Sequence, residues 1–212
     1  MKNFYILLLI LSLQYICSLK VGETYQLPVP EKEGGMPLYE ALNARKSQRD
    51  FDPEKPLDAQ IISQALWSCY GVNRPNNYKT TPSAVAWFPL IIYVFVQEGV
   101  YKYNPEENSL TLILEGDYRY MTGTQDFPID AGANFVMIAD FKKKSGMDGD
   151  DEHKLRSIYL DTGHCSMGFG LYAASQNLKG VPRAMVDAEP LLELLGLPKE
   201  DYIFTLAFSL GY

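Results

Sequence analysis

Histidine is scarce in this chain: only His153 and His164 occur among 212 residues. A metal centre built on imidazoles has almost nothing to draw on, and a surface or helix-packing role is the ordinary reading of both. Cysteine is nearly as rare, with three residues in all, too few for a disulfide framework. Cys69 and Cys165 lie in apolar helical sequence and read as buried free thiols. His164 and Cys165 are adjacent, but neighbouring helical residues point in different directions, which makes a weak thiolate site. Positive charge is in deficit, with a formal net charge of −7, and this argues against nucleic acid as a partner. A nucleophile elbow, a Gly-rich phosphate loop with its Lys and a dinucleotide-type Gly fingerprint are all missing. The acidic stretch "KKKSGMDGDDEH" lacks the alternating ligands and closing Glu of an EF-hand, so it reads as a solvated loop. A chain of enzyme size without a nucleophile, a base or a metal site can borrow its chemistry from a cofactor.

What is present suits one domain. Apolar residues make up 47% and charged residues 21%, ordinary for a globular protein with a real core. The first segment, "MKNFYILLLILSLQYICSLK", has an early Lys and an apolar run from Phe4 to Ile16, then small Cys17 and Ser18. It reads as a secretory signal over residues 1–18, too short to span a bilayer comfortably. Export to a periplasm or a secretory route, without stable membrane insertion after cleavage, is the corresponding expectation. Residues 19–35, rich in Pro and Gly, read as an extended leader, and 36–212 as the domain.

Within the domain, Leu38, Ala41 and Leu42 recur at helical spacing. So do Ile61, Ile62, Ala65, Leu66 and Cys69, with Asp58 placed to cap the start and Gly71 to close the end. The period then changes. "PLIIYVFVQ" (89–97) is a buried strand, 99–117 reads as two strands about a turn at 104–108, and "NFVMIADF" (134–141) is another buried strand. A short polar helix is expected near 118–122 and a long central one over 152–179. In that long helix Gly163, Gly168 and Gly170 are costly unless they admit a close neighbour. A short helix and a final strand end the chain. The order predicts an α+β fold, a mixed and largely antiparallel central sheet flanked by helices.

Arg45, Lys46, Ser47 and Arg49 crowd into five positions. Bidentate guanidinium groups, a point charge and a hydroxyl suit a phosphate. Cations at a helix C-terminus would give the same cluster, and the cluster alone leaves both readings open.

Four segments taken in order bring in a resemblance. "ARKSQRDFDPEKPLDAQIISQALWSCYGVNRP", "TTPSAVAWFPLIIYVFVQEGVYKYNP", "EGDYRYMTGTQDF" and "NLKGVPRAMVDAEPLLELLGLP" resemble the FMN-dependent nitroreductase-like family. They are most similar to its short branch of peptide-azoline (SagB/ThcOx-type) dehydrogenases. The resemblance implies an intertwined homodimer that binds FMN and is reduced by NAD(P)H in a ping-pong reaction with a small flat substrate, such as a nitro compound or quinone. It places Arg45, Lys46, Ser47, Arg49 and Phe51 on the flavin phosphate, ribityl chain and ring edge. Pro82, Ser83 and Ala84 would reach the flavin from the partner subunit, and Gln125 would meet the pyrimidine edge. Pro182, Arg183, Ala184 and Met185 would lie beside N5, with the flavin itself carrying the chemistry and no metal required.

The departures are specific. Ala84-Val85-Ala86-Trp87-Phe88 is apolar where relatives often place a polar residue. Trp87 and Phe88 there are candidates for stacking on a substrate or for filling the dimer interface. Many relatives continue with basic residues after the final Gly-Tyr, so ending at Tyr212 puts more of the phosphate on Arg45, Lys46 and Arg49. Two other readings are consistent with the same segments: a non-catalytic flavin- or ligand-binding dimer, and an azoline-peptide dehydrogenase component.

Overall fold

The computed structural model describes residues 19–143 and 150–212; the expected signal and half of the acidic stretch lie outside the described residues, while its last three residues, expected in a loop, begin the long helix. Seven strands form one sheet in the order β1-β6-β5-β4-β7-β9-β8. They are β1 (Thr24–Gln26), β4 (Leu90–Val96), β5 (Gly99–Asn104), β6 (Ser109–Glu115), β7 (Ala133–Asp140), β8 (Lys179–Arg183) and β9 (Tyr202–Gly211). Every pairing within it is antiparallel. A separate two-stranded ribbon joins β2 (Val72–Arg74) to β3 (Tyr78–Lys79). Its turn is made by Asn76 and Asn77, both at positive φ, a conformation that Asn tolerates better than most residues.

Helices cover both faces. On one side lie α1 (Leu38–Ala44), α2 (Ala59–Tyr70) and α3 (Asp151–Ser175); α4 (Ala188–Leu194) lies on the other. The sheet is therefore the middle of three layers, and β7, beside the central strand β4, is buried on both faces from Ala133 to Ala139. That accounts for its unbroken apolar sequence. The α3 side is anchored by Phe169, whose ring stacks at 4.5 Å on Phe135 and 5.3 Å from Phe208. Each such ring stabilises the fold by about 1.5–3 kcal/mol through burial.

Local signals explain the helix ends. Asp58 Oδ1 accepts the Ile61 amide at 2.8 Å and Asp150 Oδ1 accepts the His153 amide at 3.0 Å, each capping a helix. Gly168 lets α3 approach α2 closely, since a Cβ there would stand 2.6 Å from the Ser68 carbonyl oxygen. Gly163 has no such neighbour; a Cβ there would meet nothing within 4 Å. Cys69 and Cys165 are free and buried, and burial pushes the Cys69 thiol well up.

Two segments differ from the expected outline. Residues 19–35 join the domain: Leu19 and Leu27 are buried in the main core, and β1 pairs with β6. "KGVPR", with no strand expected there, forms β8 at the edge of the sheet beside β9. Gly180 and Pro182 hide it in the sequence, yet an edge strand tolerates a proline.

Candidate functional site

The cationic segment leaves α1 at Arg45, its C-cap, and runs extended along the start of β8. The Gln48 amide donates to the Gly180 carbonyl at 3.1 Å, and Lys179 Nζ lies 3.0 Å from Asp50 Oδ2. That lysine holds the Asp50 carboxyl below its ordinary value, mainly through its hydrogen bond. The Arg45 and Lys46 side chains are exposed and, among the described residues, make no hydrogen bond or ion pair, although the Lys46 charge also acts on Asp50. They border a hollow of about 190 Å³ shared with Gly163 and Gly170 of α3 and with Gly180 and Pro182 of β8. The small residues keep that corner open, and the two cations give it a positive rim.

A second segment joins the first. Thr124 N donates to the Met185 carbonyl at 3.1 Å, which ties the loop carrying Gln125 to the end of β8. Phe127 of that loop lies 6.1 Å from the Phe51 ring, with the Arg49 guanidinium 6.0 Å from its centroid. Three of the four segments singled out in the sequence thus converge around β8: 45–51, 122–127 and 179–185. Pro182 and Met185 are exposed there, and Gln125 is half-buried.

Arg183 requires a correction as a cofactor contact. Alternation along β8 turns it to the opposite face from Gly180 and Pro182, where it is 4% exposed. Its Nε donates to Ser209 Oγ at 3.0 Å, and its Nη2 to Asn134 Oδ1 at 2.9 Å and Thr122 Oγ1 at 3.2 Å. Its Nη1 donates to the Thr122 carbonyl. Burial among these neutral partners brings its pKa down to about 10. It positions the 122–127 loop from beneath.

The fourth segment lies against α3 further toward that helix's N-terminus. Ser83 Oγ donates to Asp161 Oδ2 at 2.5 Å and accepts the Phe88 amide at 2.8 Å; Ala84 N donates to Asp161 Oδ1 at 3.3 Å. This clamp holds a loop with Val85 at φ 46°, Ala86 at 56° and Phe88 at 48°. For a β-branched Val the left-handed region is a true strain, on the order of 1–3 kcal/mol. Trp87 also requires correction as a stacking surface: it is 4% exposed within the chain's own core, its Nε1 donating to the Lys143 carbonyl at 3.0 Å. Phe88 is half-buried, edge-on to Tyr70 and Tyr78. Asp161 was not singled out in the sequence; an Asp inside a long helix resembles any solvated acid until its partner loop is known.

Burial, the largest influence on Asp161, raises its pKa, offset in part by the bonds from Ser83 and Ala84. The folded chain therefore holds this proton more tightly than the unfolded one, and the Asp161 contribution to stability falls as pH climbs from the ordinary carboxylate value through the raised one. Asp161→Asn removes that slope and leaves one clamp donor unpaired. The parent's advantage over the variant in urea midpoint is expected to shrink from pH 4 to pH 7. A gap independent of pH would mean that Asp161 ionises in the fold without penalty.

Among the described residues, no group of three His, Cys, Asp or Glu is placed to hold a metal, and no helix is long and apolar enough to cross a membrane. Apolar side chains do remain exposed on the α1–α3 face: Leu38, Tyr39, Leu42, Tyr159, Leu160 and Met167.

Comparison with known proteins matches residues 42–212 to the model of the nitroreductase family. The MJ1384 protein of Methanocaldococcus jannaschii, named as a nitroreductase, is 31% identical over 168 residues, covering 74% of this chain and 83% of that one. A Ralstonia eutropha crystal structure, also described as a nitroreductase, superposes with a TM-score of 0.80 at 31% identity over 91% of both chains. At 16% identity the likeness is one of fold. An Exiguobacterium sibiricum nitroreductase in complex with FMN has a TM-score of 0.60, covering 84% of this chain and 89% of that one. A chain of the Escherichia coli microcin synthetase McbBCD complex has 0.70, covering 94% and 80%.

Proposed function

The chain belongs to the nitroreductase family, and we propose that it is an FMN-dependent oxidoreductase, taking electrons from NAD(P)H and passing them to a small flat acceptor of the nitro or quinone type. The observation that carries the reading is the pair Arg45 and Lys46, exposed beside a hollow lined by glycines, with no hydrogen bond or ion pair to either side chain among the described residues. Exposed cations whose donors are free to face an open corner fit a phosphate better than they fit a structural role. The donor set fits FMN: Arg45, Lys46 and Ser47 would hold its phosphate. Arg49, Gln125 and the exposed residues Pro182, Ala184 and Met185 stand on the neighbouring segments for the ring and its edge. Bound FMN would supply two-electron transfer between nicotinamide and acceptor. The protein's own share is to bind, to orient, and to place positive charge where the reduced ring becomes anionic.

At about 190 Å³ the hollow is a corner smaller than an enclosing ligand pocket. A second copy covering it agrees with the exposed apolar side chains of α1 and α3, and homodimerisation is part of the proposal. In such a dimer the Ser83 loop is the segment expected to reach the partner's flavin. The likeness to the microcin synthetase chain is one of fold and lends no support to a peptide substrate. Export through a cleaved leader at residues 1–18 belongs to the same proposal.

The test is an anaerobic absorbance spectrum of protein mixed with FMN and gel-filtered, before and after NADH or NADPH. A retained flavin spectrum that bleaches with the nicotinamide and returns with menadione is the expected result. Protein that emerges colourless rejects the reading. Retained flavin that no reductant cycles leaves only a flavin-binding dimer.

A further inference from the structure

A second cleft, sharing no residue with the hollow at Arg45, is built around Lys79. This lysine ends β3 with its side chain 5% exposed. Its Nζ lies 5.0 Å from the centre of the Tyr70 ring and 5.2 Å from that of Phe88. Its one carboxylate neighbour, Glu106 Oε1, is 3.6 Å away, an ion pair beyond hydrogen-bonding distance. The ammonium therefore has three N–H donors, two aromatic faces and a single loosely held anion whose own side chain is 52% exposed. Burial outweighs that anion and lowers the Lys79 pKa. The cleft beside it measures about 920 Å³ and carries Lys102 and Lys143 as further cations, against Glu106 as its one acid.

A strut between β3 and the β5–β6 turn would explain Lys79 and Glu106 alone. It leaves unexplained why so buried an ammonium is answered only by one half-exposed carboxylate at the wall of a large open cleft, with two more lysines on the lining. We propose that this cleft binds a small aromatic carboxylate, with the carboxylate on Lys79 in place of Glu106 and the ring against Phe88 and Tyr78. A flat anion is required because the ammonium is reached between aromatic walls, and a ring attached to it adds contact with those walls. A compact tetrahedral anion gains the charge and forfeits the stacking. Phe88 belongs to the strained loop clamped by Asp161, so occupancy also bears on that loop. The site stands whether or not the chain binds flavin.

The test is calorimetric titration of the full chain with benzoate, benzamide and inorganic phosphate, repeated on Lys79→Met and Glu106→Gln. Benzoate is expected to bind the parent, with Lys79→Met weakening it about tenfold or more through loss of a charge-assisted bond. Glu106→Gln is expected to tighten benzoate about threefold or more, because the competing anion is gone. That second variant alters an exposed side chain, so it decides the matter even if Lys79→Met folds poorly. Absence of benzoate binding, equal binding of benzamide or phosphate, or no tightening in Glu106→Gln each overturns the proposal.

Discussion

Arg45→Ala protein incubated with excess FMN is expected to lose the flavin on gel filtration, while the parent retains it. A charge-assisted hydrogen bond to phosphate contributes about 1.5–3 kcal/mol, or roughly 10- to 100-fold in affinity. Removing Lys46 as well should take the loss beyond about 100-fold. Both side chains are exposed and, among the described residues, neither makes a hydrogen bond or ion pair, so the melting temperature of the apoprotein should stay close to that of the parent. That combination is diagnostic. If cations at a helix end were their whole purpose, the substitutions would cost a few tenths of a kcal/mol in stability and leave flavin retention untouched. Unchanged retention in the double variant would remove the phosphate assignment and with it the main support for the proposed activity.

Arg183→Met is expected to do the reverse, lowering stability by about 3–5 kcal/mol. For a chain of this size that corresponds to a fall in melting temperature of roughly 6–20 °C. A buried charge can often be replaced by an apolar residue without loss, provided its partners are replaced too. Here they stay: the Thr122 carbonyl, Asn134 Oδ1 and Ser209 Oγ would remain buried, short of the donors they now use. Ser209 Oγ also donates to Asn134 Oδ1, so the group fails as a unit and the loss exceeds one bond. Lys in its place keeps the charge but cannot serve all four acceptor atoms that the planar guanidinium reaches, and is expected to recover less than half of the loss. Amide hydrogen exchange should rise first in residues 122–127, the loop that this side chain holds. A Met variant as stable as the parent, with that loop still protected, would mean that the network is incidental.

Much of the fold can be read from the sequence because its strongest signals are local. The apolar run at 90–96, the hairpin about 104–108 and the cap at Asp58 each depend on residues close in the chain. β8 could not be read, since Gly and Pro weaken a strand's signature and only pairing with β9, over twenty residues later, makes it one. Leu27 and β1 were concealed in the same way, by a Pro-rich context whose partner β6 lies some eighty residues on. For the candidate site, exposed charge was legible at Arg45 and Lys46, whereas direction was not. Nothing in "VPRAM" says that Pro182 faces outward and Arg183 inward until the strand's two faces are assigned. Trp87 is a similar case, an aromatic whose burial depends on Lys143, more than fifty residues away.

The sheet's two borders have a consequence for how copies of this chain meet. At one border β1 is three residues long; at the other, β8 carries Pro182, a position with no amide hydrogen to offer. Neither margin can template an eighth strand from a neighbour. Growth into a continuous sheet, the usual route from crowded β-protein to fibre, is blocked at both ends by the chain itself. The proposed pairing of two copies is then better served by the helical face where Leu160 and Met167 stand exposed.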